Sequence, residues 1–269
     1  MPRAGRNVSP VIFHMLIARL LMGLVLTLKL ASARAAEIKL FHPFKGVTWK
    51  GSISISGPLI EGDAQKLVSL MISIKADFFY ISLNSPGGSV IEALKMAEII
   101  REMRAEVRTT QPGICASACF FLWLAGAHRI AGASDLDESG WLGLHRPYLS
   151  SPTGTELSLT YQTQLMQAIA TYLEQRTVPR RLIDIMMRNP SNQIYWAKSR
   201  DINEIGTIPP DLEELYIARC EYQRDAQYSS DKYTRQNACI AELQEKTRSA
   251  ALRRLSGPRT LKPLPRKVE

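Results

Sequence analysis

The chain has 269 residues, of which 45% are hydrophobic, so it can bury the core of one sizeable domain with appendages or of two small domains. Its formal net charge is +9, but much of the basic excess sits near the two ends. The sequence lacks basic-aromatic interleaving and any nucleic-acid module, which argues against a nucleic-acid partner.

The N-terminus has the pattern of a secretory signal. Basic residues precede an apolar run at 20–28, and Ala33-Arg34-Ala35 supplies the small-x-small site that a signal peptidase needs. The run is too short for a conventional membrane-spanning helix. We therefore expect residues 1–35 to be a signal peptide and the mature chain to be exported, in bacteria to the periplasm. The alternative is an uncleaved membrane anchor that starts near Val11.

Strands and helices alternate from residue 36 to residue 208, which indicates the α/β class. The 52–56 segment alternates polar and apolar residues as a half-buried strand does, and the 61–75 segment has a helical apolar stripe. Further strands are predicted at 78–83, 107–110, 129–130 and 195–197, and further helices at 89–103, 117–125, 157–176, 178–188 and 198–205.

The Pro86-Gly87-Gly88 segment joins the strand at 78–83 to the helix at 89–103. Two glycines permit positive φ and a close approach by another group. Backbone N–H groups at such a junction suit a developing negative charge. The competing interpretation is a plain turn between a strand and a helix.

Ser117 lies between small residues, Ala116 and Ala118, which leave room for a substrate beside its hydroxyl. The competing interpretation is a simple helix cap. Cys115 and Cys119 flank it, four positions apart, at what is predicted to be a helix start. We favour two small apolar packing residues there over a local disulfide, because a bond within one helix demands distorted geometry. A zinc site is not expected, since no second Cys/His pair has ligand spacing.

A serine nucleophile needs a base. Of the four histidines, His14 lies in the signal segment and His42 near the mature terminus. His128 is predicted to be an exposed or satisfied surface residue. His145 ends an apolar run just before Arg146-Pro147, where a strand-end side chain can project into a cleft.

The C-terminal third is predicted to form a helical hairpin at 209–248, built from helices at 211–227 and 231–248. Cys220 and Cys239 lie one on each helix, and a disulfide between them fits both the spacing and an oxidising compartment. The alternative is two free thiols. Residues 249–269 are basic and contain prolines, and we predict a disordered tail.

Together, Asn84–Val90, Cys115–Cys119 and His145-Arg146-Pro147 resemble the Clp protease proteolytic subunit (ClpP) and its superfamily, which includes crotonases and signal peptide peptidase A enzymes. The resemblance covers about 53–206 and is strongest to exported, Clp-protease-like bacterial proteins. It implies a ClpP/crotonase-like ββα spiral, acyl-enzyme chemistry and subunits that often form rings.

The resemblance implies that Ser117 is the nucleophile, that His145 is the base, and that the amides of Gly88 and Ala118 form the oxyanion hole. The family's acid is missing, because the corresponding 189–196 region has no carboxylate. Asn192 is the first candidate to orient the imidazole. A backbone carbonyl and Asp201 are the alternatives.

The leading hypothesis is therefore an exported serine peptidase that acts on peptides or proteins without a cofactor and forms a homo-oligomer. The rival hypothesis is a catalytically silent protein that binds peptides or envelope partners, and the missing acid favours it. Acyl-CoA chemistry of the crotonase type is a third hypothesis, against which export argues because CoA is a cytoplasmic cofactor.

Overall fold

A computed structural model describes residues 35–41, 51–109, 113–132, 141–147, 158–190, 192–224 and 231–257. The predicted signal segment lies outside these residues, apart from Ala35 at its end. Among the described helices, none combines the length and the apolar character that crossing a membrane requires. The described residues belong to one compact unit.

The larger sheet has five strands in the order β1-β2-β3-β4-β6. The strands are β1 (Glu37–Phe41), β2 (Gly51–Ser56), β3 (Phe78–Asn84), β4 (Glu106–Thr109) and β6 (His128–Ile130). Strand β1 pairs antiparallel with β2, and every other neighbouring pair is parallel. Parallel pairs need helical crossovers, so this sheet follows from the alternation of strands and helices in the sequence.

The smaller sheet has three strands in the order β5-β7-β8. They are β5 (Ile114–Ala116), β7 (Trp141–Leu144) and β8 (Tyr195–Trp196). Strand β5 runs parallel to β7, and β8 runs antiparallel to β7. Sequence analysis missed β5 because three residues are too few to show a period.

Eight helices surround the sheets in the described part of the chain. They are α1 (Asp63–Ser73), α2 (Val90–Glu102), α3 (Cys119–Leu124), α4 (Leu159–Gln175), α5 (Arg180–Arg188), α6 (Ser199–Ile205), α7 (Pro210–Cys220) and α8 (Asp231–Ser256). Together with the two sheets, they confirm the predicted α/β class.

Helix α3 lies at the centre of the core, since all six of its residues are buried. A helix that is apolar on every side has no solvent face, so the sheets and neighbouring helices cover it entirely. This burial fixes the segment that follows β5, and two of the functional candidates, Ser117 and Ala118, lie on that segment.

The C-terminal helices α7 and α8 contact each other, and α8 also contacts α1 and α2 of the main core. The Cys220–Cys239 disulfide links them, with 5.6 Å between the two Cα atoms, as predicted from spacing. Helix α7 ends at Cys220, seven residues earlier than predicted, because Glu221 adopts a left-handed conformation with φ of 52°.

Helix α8 continues to Ser256 and so includes eight residues that the sequence analysis assigned to a disordered tail. The physical reason is burial: Ala251 is fully buried, and Leu252 and Leu255 pack against the core. The rest of the predicted tail, from residue 258, lies outside the described residues.

Candidate active site

The loop after β3 is held in place by Ser85, which is fully buried. The Ser85 hydroxyl donates to the Gly57 carbonyl at 2.7 Å and accepts from the Gly87 N–H at 3.1 Å. Its backbone pairs with β5, through the Ser85 N–H to the Ile114 carbonyl at 2.8 Å and the Ala116 N–H to the Ser85 carbonyl at 3.0 Å. Ser85 therefore joins the two sheets and places the glycine loop beside β5.

Gly87 and Gly88 adopt φ values of 97° and 142°, which side-chain-bearing residues rarely reach. A Cβ on Gly87 would lie 2.6 Å from the Ser117 Cβ, and one on Gly88 would lie 2.2 Å from the Leu59 carbonyl oxygen. Both positions therefore require glycine, and Gly87 is in direct contact with Ser117.

The sequence predicted that Ser117 is the first residue of a helix. In the structure it lies in a turn between β5 and α3. Its φ is +56°, in the left-handed region that is uncommon for residues other than glycine. The Ser117 N–H donates to the Gly143 carbonyl of β7 at 2.9 Å. Strained residues of this kind cluster at active sites, although strain alone does not assign a role.

The predicted oxyanion donors are the amides of Gly88 and Ala118. Within the described ranges, neither N–H donates to a protein group. The Ala118 nitrogen lies 2.8 Å from the position of a Cβ on Gly87, so the two donors come from adjoining segments. Buried amides normally have partners, which makes the unpaired N–H of the buried Ala118 notable. Neither of the two N–H groups is therefore occupied by another described residue.

His145 directly follows β7 and is partly exposed. Strands β5 and β7 are parallel with Ala116 opposite Gly143, so Ser117 and His145 leave the same end of the smaller sheet. The His145 Nδ1 lies 2.7 Å from the Arg146 carbonyl oxygen. A carbonyl only accepts, so Nδ1 carries the proton and Nε2 keeps a free lone pair. Ser117 and His145 form no hydrogen bond with each other.

The backbone carbonyl of Arg146 therefore occupies the place for which Asn192 was the first candidate. Asn192 is exposed and makes no hydrogen bond to the described residues. Asp201 is unavailable to His145 because its fully buried carboxylate accepts from Arg181 at 2.6 Å and from the Tyr195 hydroxyl at 2.7 Å.

Asn189 holds the segment around His145 through hydrogen bonds, a role that the sequence did not reveal. Its carbonyl accepts from the Arg146 N–H at 3.1 Å. Its side-chain amide donates to the Gln193 carbonyl at 2.8 Å and to the Leu144 carbonyl at 3.4 Å. The sequence signal was only an asparagine in a predicted turn, which does not indicate contacts to a strand 45 residues earlier.

Cys115 and Cys119 form a disulfide, with 5.1 Å between their Cα atoms, so the preference for two unbonded packing residues was wrong. That preference assumed that both cysteines lie on one helix. In the structure Cys115 is on β5 and Cys119 begins α3, and the turn at Ser117 brings the two Cα atoms within the usual range for a disulfide.

His128 lies away from this arrangement, on β6 in the larger sheet. Its Nδ1 is 3.0 Å from a Glu106 carboxylate oxygen. Burial raises the pKa of Glu106, but hydrogen bonds from His128 and Arg108 outweigh it and hold that pKa below its ordinary value. His128 therefore has a hydrogen-bonding partner in the larger sheet, as expected for a satisfied surface histidine.

The described part of the chain contains no group of three or more His, Cys, Asp or Glu side chains placed to hold a metal ion. All four cysteines are in disulfides and so offer no thiolate ligand. The candidate site itself supplies a hydroxyl from Ser117, an imidazole from His145 and backbone amides from Gly88 and Ala118.

The Clp protease family model matches residues 37–177, just over half of the chain. The chain belongs to the Clp protease family. Its mixed α/β architecture is consistent with a ClpP-like fold. The matched region contains Gly88, Ser117, Ala118 and His145, whereas Asn189 and Asn192 lie beyond it.

One curated member of the Clp protease family is similar over a short region. It is the ATP-dependent Clp protease proteolytic subunit 1 of Prochlorococcus marinus (strain NATL2A), with 31% identity over 81 residues. The alignment covers 28% of this chain and 40% of that relative's length.

Proposed function

We propose that this protein is a serine peptidase in which Ser117 is the nucleophile, His145 is the general base, and the amides of Gly88 and Ala118 form the oxyanion hole. The observation that carries the proposal is the contact between the glycine loop and Ser117. It brings a strained serine beside two amide donors that have no partner among the described residues. Family membership supports it.

In the proposed reaction, the Ser117 Oγ attacks the carbonyl carbon of a peptide while the His145 Nε2 removes the hydroxyl proton. The negative charge on the carbonyl oxygen is stabilised by the amides of Gly88 and Ala118. The intermediate collapses as the imidazolium gives its proton to the leaving amine. Water, deprotonated by the same Nε2, then hydrolyses the acyl-enzyme.

The Arg146 carbonyl supports the tautomer that this mechanism needs, because the protonated Nδ1 leaves Nε2 as the acceptor. A neutral carbonyl stabilises the imidazolium less than a carboxylate does. We therefore expect slower turnover than an enzyme with a complete triad. The missing Ser117–His145 hydrogen bond is compatible with activity, since such bonds often tighten only when substrate binds.

Reaction with a fluorophosphonate probe tests the proposal. Wild-type protein should become labelled on Ser117, as located by peptide mass spectrometry. Ser117→Ala should abolish labelling, and His145→Ala should slow it by about 100-fold or more because the base is lost. Ser89→Ala is a matched control, since this hydroxyl caps α2 by accepting from the Glu92 N–H. Equal labelling of wild type and Ser117→Ala would refute the assignment.

A second candidate function is a catalytically silent protein that binds peptides. Among the described residues, no carboxylate contacts His145 and no hydrogen bond joins it to Ser117, which favours this candidate. It predicts that the folded protein binds peptides but that Ser117 stays unlabelled at every probe concentration and neutral or alkaline pH.

We also propose that the protein is exported, with residues 1–35 as its signal peptide or membrane anchor, and that it acts on peptides or proteins as a homo-oligomer. Two disulfides support an oxidising compartment. Family membership supports the oligomer and the class of substrate.

A further inference from the structure

We infer that the Cys115–Cys119 disulfide positions the Ser117 hydroxyl and the Ala118 amide, and that reducing it lowers the reactivity of the serine without unfolding the protein. This inference rests on the proposed function of Ser117. The disulfide closes a short backbone ring. Between its two cysteines the ring contains the candidate nucleophile, Ser117, and one candidate oxyanion donor, the Ala118 N–H.

The two ends of this ring are fixed by the fold. Cys115 is fully buried in β5, where its backbone lies between Ser85 on one side and Leu142 on the other. Cys119 is fully buried at the start of α3, whose six residues are all inside the core. The bond therefore joins a strand paired on both sides to a fully buried helix.

The turn between these ends has a conformation that serine does not favour. Ser117 has φ of +56°, in the left-handed region that is unfavourable for residues other than glycine. Glycine would remove this cost but would also remove the hydroxyl. A covalent link across the turn stabilises the conformation without altering residue 117.

The disulfide acts next to the Ala118 N–H. The Ser117 N–H is held by the Gly143 carbonyl at 2.9 Å, whereas the Ala118 N–H has no partner within the described residues. The Ser117 carbonyl, which shares a peptide plane with that N–H, accepts from the Phe120 N–H at 3.0 Å, and the disulfide links this first turn of α3 back to β5. Loss of the disulfide should therefore affect transition-state stabilisation more than ground-state binding, which is a kinetic signature of positioning.

Dithiothreitol can reduce this disulfide. It supplies two electrons and two protons, so that the S–S bond becomes two thiols while dithiothreitol closes to its cyclic disulfide. Because both cysteines are fully buried, the reaction requires local opening of the protein around them. Reoxidation restores the bond.

The experiment uses Cys220→Ala/Cys239→Ala protein as the background, because it retains only the disulfide of interest. We expect the fully substituted protein, which also carries Cys115→Ala and Cys119→Ala, to react with the fluorophosphonate at a limiting rate lower by about 10- to 100-fold, with the half-saturating probe concentration changed less than about twofold. Loss of the second disulfide alone should leave the limiting rate within about twofold of wild type.

Reversible reduction is the second measurement, and it decides the question if the four-alanine protein fails to fold. Dithiothreitol should lower the limiting rate in the Cys220→Ala/Cys239→Ala background, and reoxidation should restore it. Alkylation and mass spectrometry report the thiol state, and circular dichroism reports the fold.

Three outcomes would count against the inference. An unchanged limiting rate in folded protein shown to be reduced at Cys115 and Cys119 overturns it, while labelling of wild-type Ser117 leaves the proposed function standing. A fall caused by unfolding, seen as lost circular dichroism signal on reduction, also overturns it. Absence of labelling in the oxidised wild type refutes the proposed function itself, and the inference with it.

Discussion

At the scale of single residues, His145 depends on backbone groups where a complete triad would use a side chain. Its Nδ1 donates to the carbonyl of its own neighbour, Arg146, and that neighbour's N–H is held by the Asn189 carbonyl. The geometry thus fixes the tautomer of the imidazole. It does not supply the negative charge that a carboxylate would place beside the imidazolium.

Asn189 and Asn192 provide a matched pair of substitutions for this arrangement. Asn189→Ala removes the side-chain bonds to the Gln193 and Leu144 carbonyls, so the His145 segment should loosen and probe labelling should slow by about tenfold. Asn192→Ala removes an exposed side chain that has no hydrogen bond to the described residues and should leave the rate within about twofold. The opposite order would restore Asn192 as the third member.

At the scale of elements, Asp201 connects α5, β8 and α6. Its side chain is fully buried and accepts from Arg181, the Tyr195 hydroxyl and the Lys198 N–H. Burial raises the pKa of Asp201, but these hydrogen bonds outweigh it and hold that pKa below its ordinary value. The ionised carboxylate is therefore the form that stabilises the junction.

Because the folded-state pKa of Asp201 is lowered, its contribution is present above the unfolded-state pKa of about 3.9 and is lost as the pH falls through the folded-state value. Asp201→Asn should reduce the free energy of unfolding at pH 7 by about 2 kcal/mol. The difference from wild type should shrink below about pH 4. Urea unfolding at several pH values measures this.

Asp184→Asn is the control for that measurement. Asp184 pairs with Arg180 at 3.3 Å on the exposed side of α5, and such surface pairs contribute little. Its substitution should change the free energy of unfolding by less than about 0.5 kcal/mol. A difference between Asp201→Asn and wild type that did not depend on pH would contradict the assignment to the ionised carboxylate.

The Cys220–Cys239 disulfide has a different role from the one beside Ser117. It links α7 and α8 across a loop with a sequence separation of 19, and a loop of that length restricts the unfolded chain substantially. Cys220→Ala/Cys239→Ala should lower the free energy of unfolding by about 3 kcal/mol, by the chain-entropy estimate. Urea denaturation of oxidised protein checks it, and a change below about 1 kcal/mol would contradict it.

At the scale of the whole molecule, periodic segments were predictable and contacts between distant segments were not. The alternation in 52–56 and the apolar stripe in 61–75 correspond to β2 and α1. Strand β5 and the left-handed turn at Ser117 were missed, since three residues show no period and a backbone angle has no residue signature outside glycine. Misplacing that turn also led to the wrong interpretation of Cys115 and Cys119.

The residues of the candidate site were likewise predictable, whereas the groups that hold them were not. Motif order selected Gly88, Ser117, Ala118 and His145, because residue type and spacing are visible in a sequence. The groups that hold them were not visible: Ser85 acts through a buried hydroxyl and backbone pairing, the Arg146 carbonyl belongs to the main chain, and Asn189 contacts a strand far away. Supporting roles of this kind depend on tertiary contacts.

The backbone pairing of Ser85 with β5 has a consequence for biogenesis. Ser85 and Cys115 meet across the two sheets, and β5 pairs in turn with β7, which ends at Leu144. Contacts between such distant segments form only after the intervening loops have closed. A nascent chain that stops before Trp141 therefore lacks the β7 partner of β5, and one that stops before residue 145 also lacks the candidate base. The newly made polypeptide should remain chemically inert until nearly the whole α/β core has been synthesised.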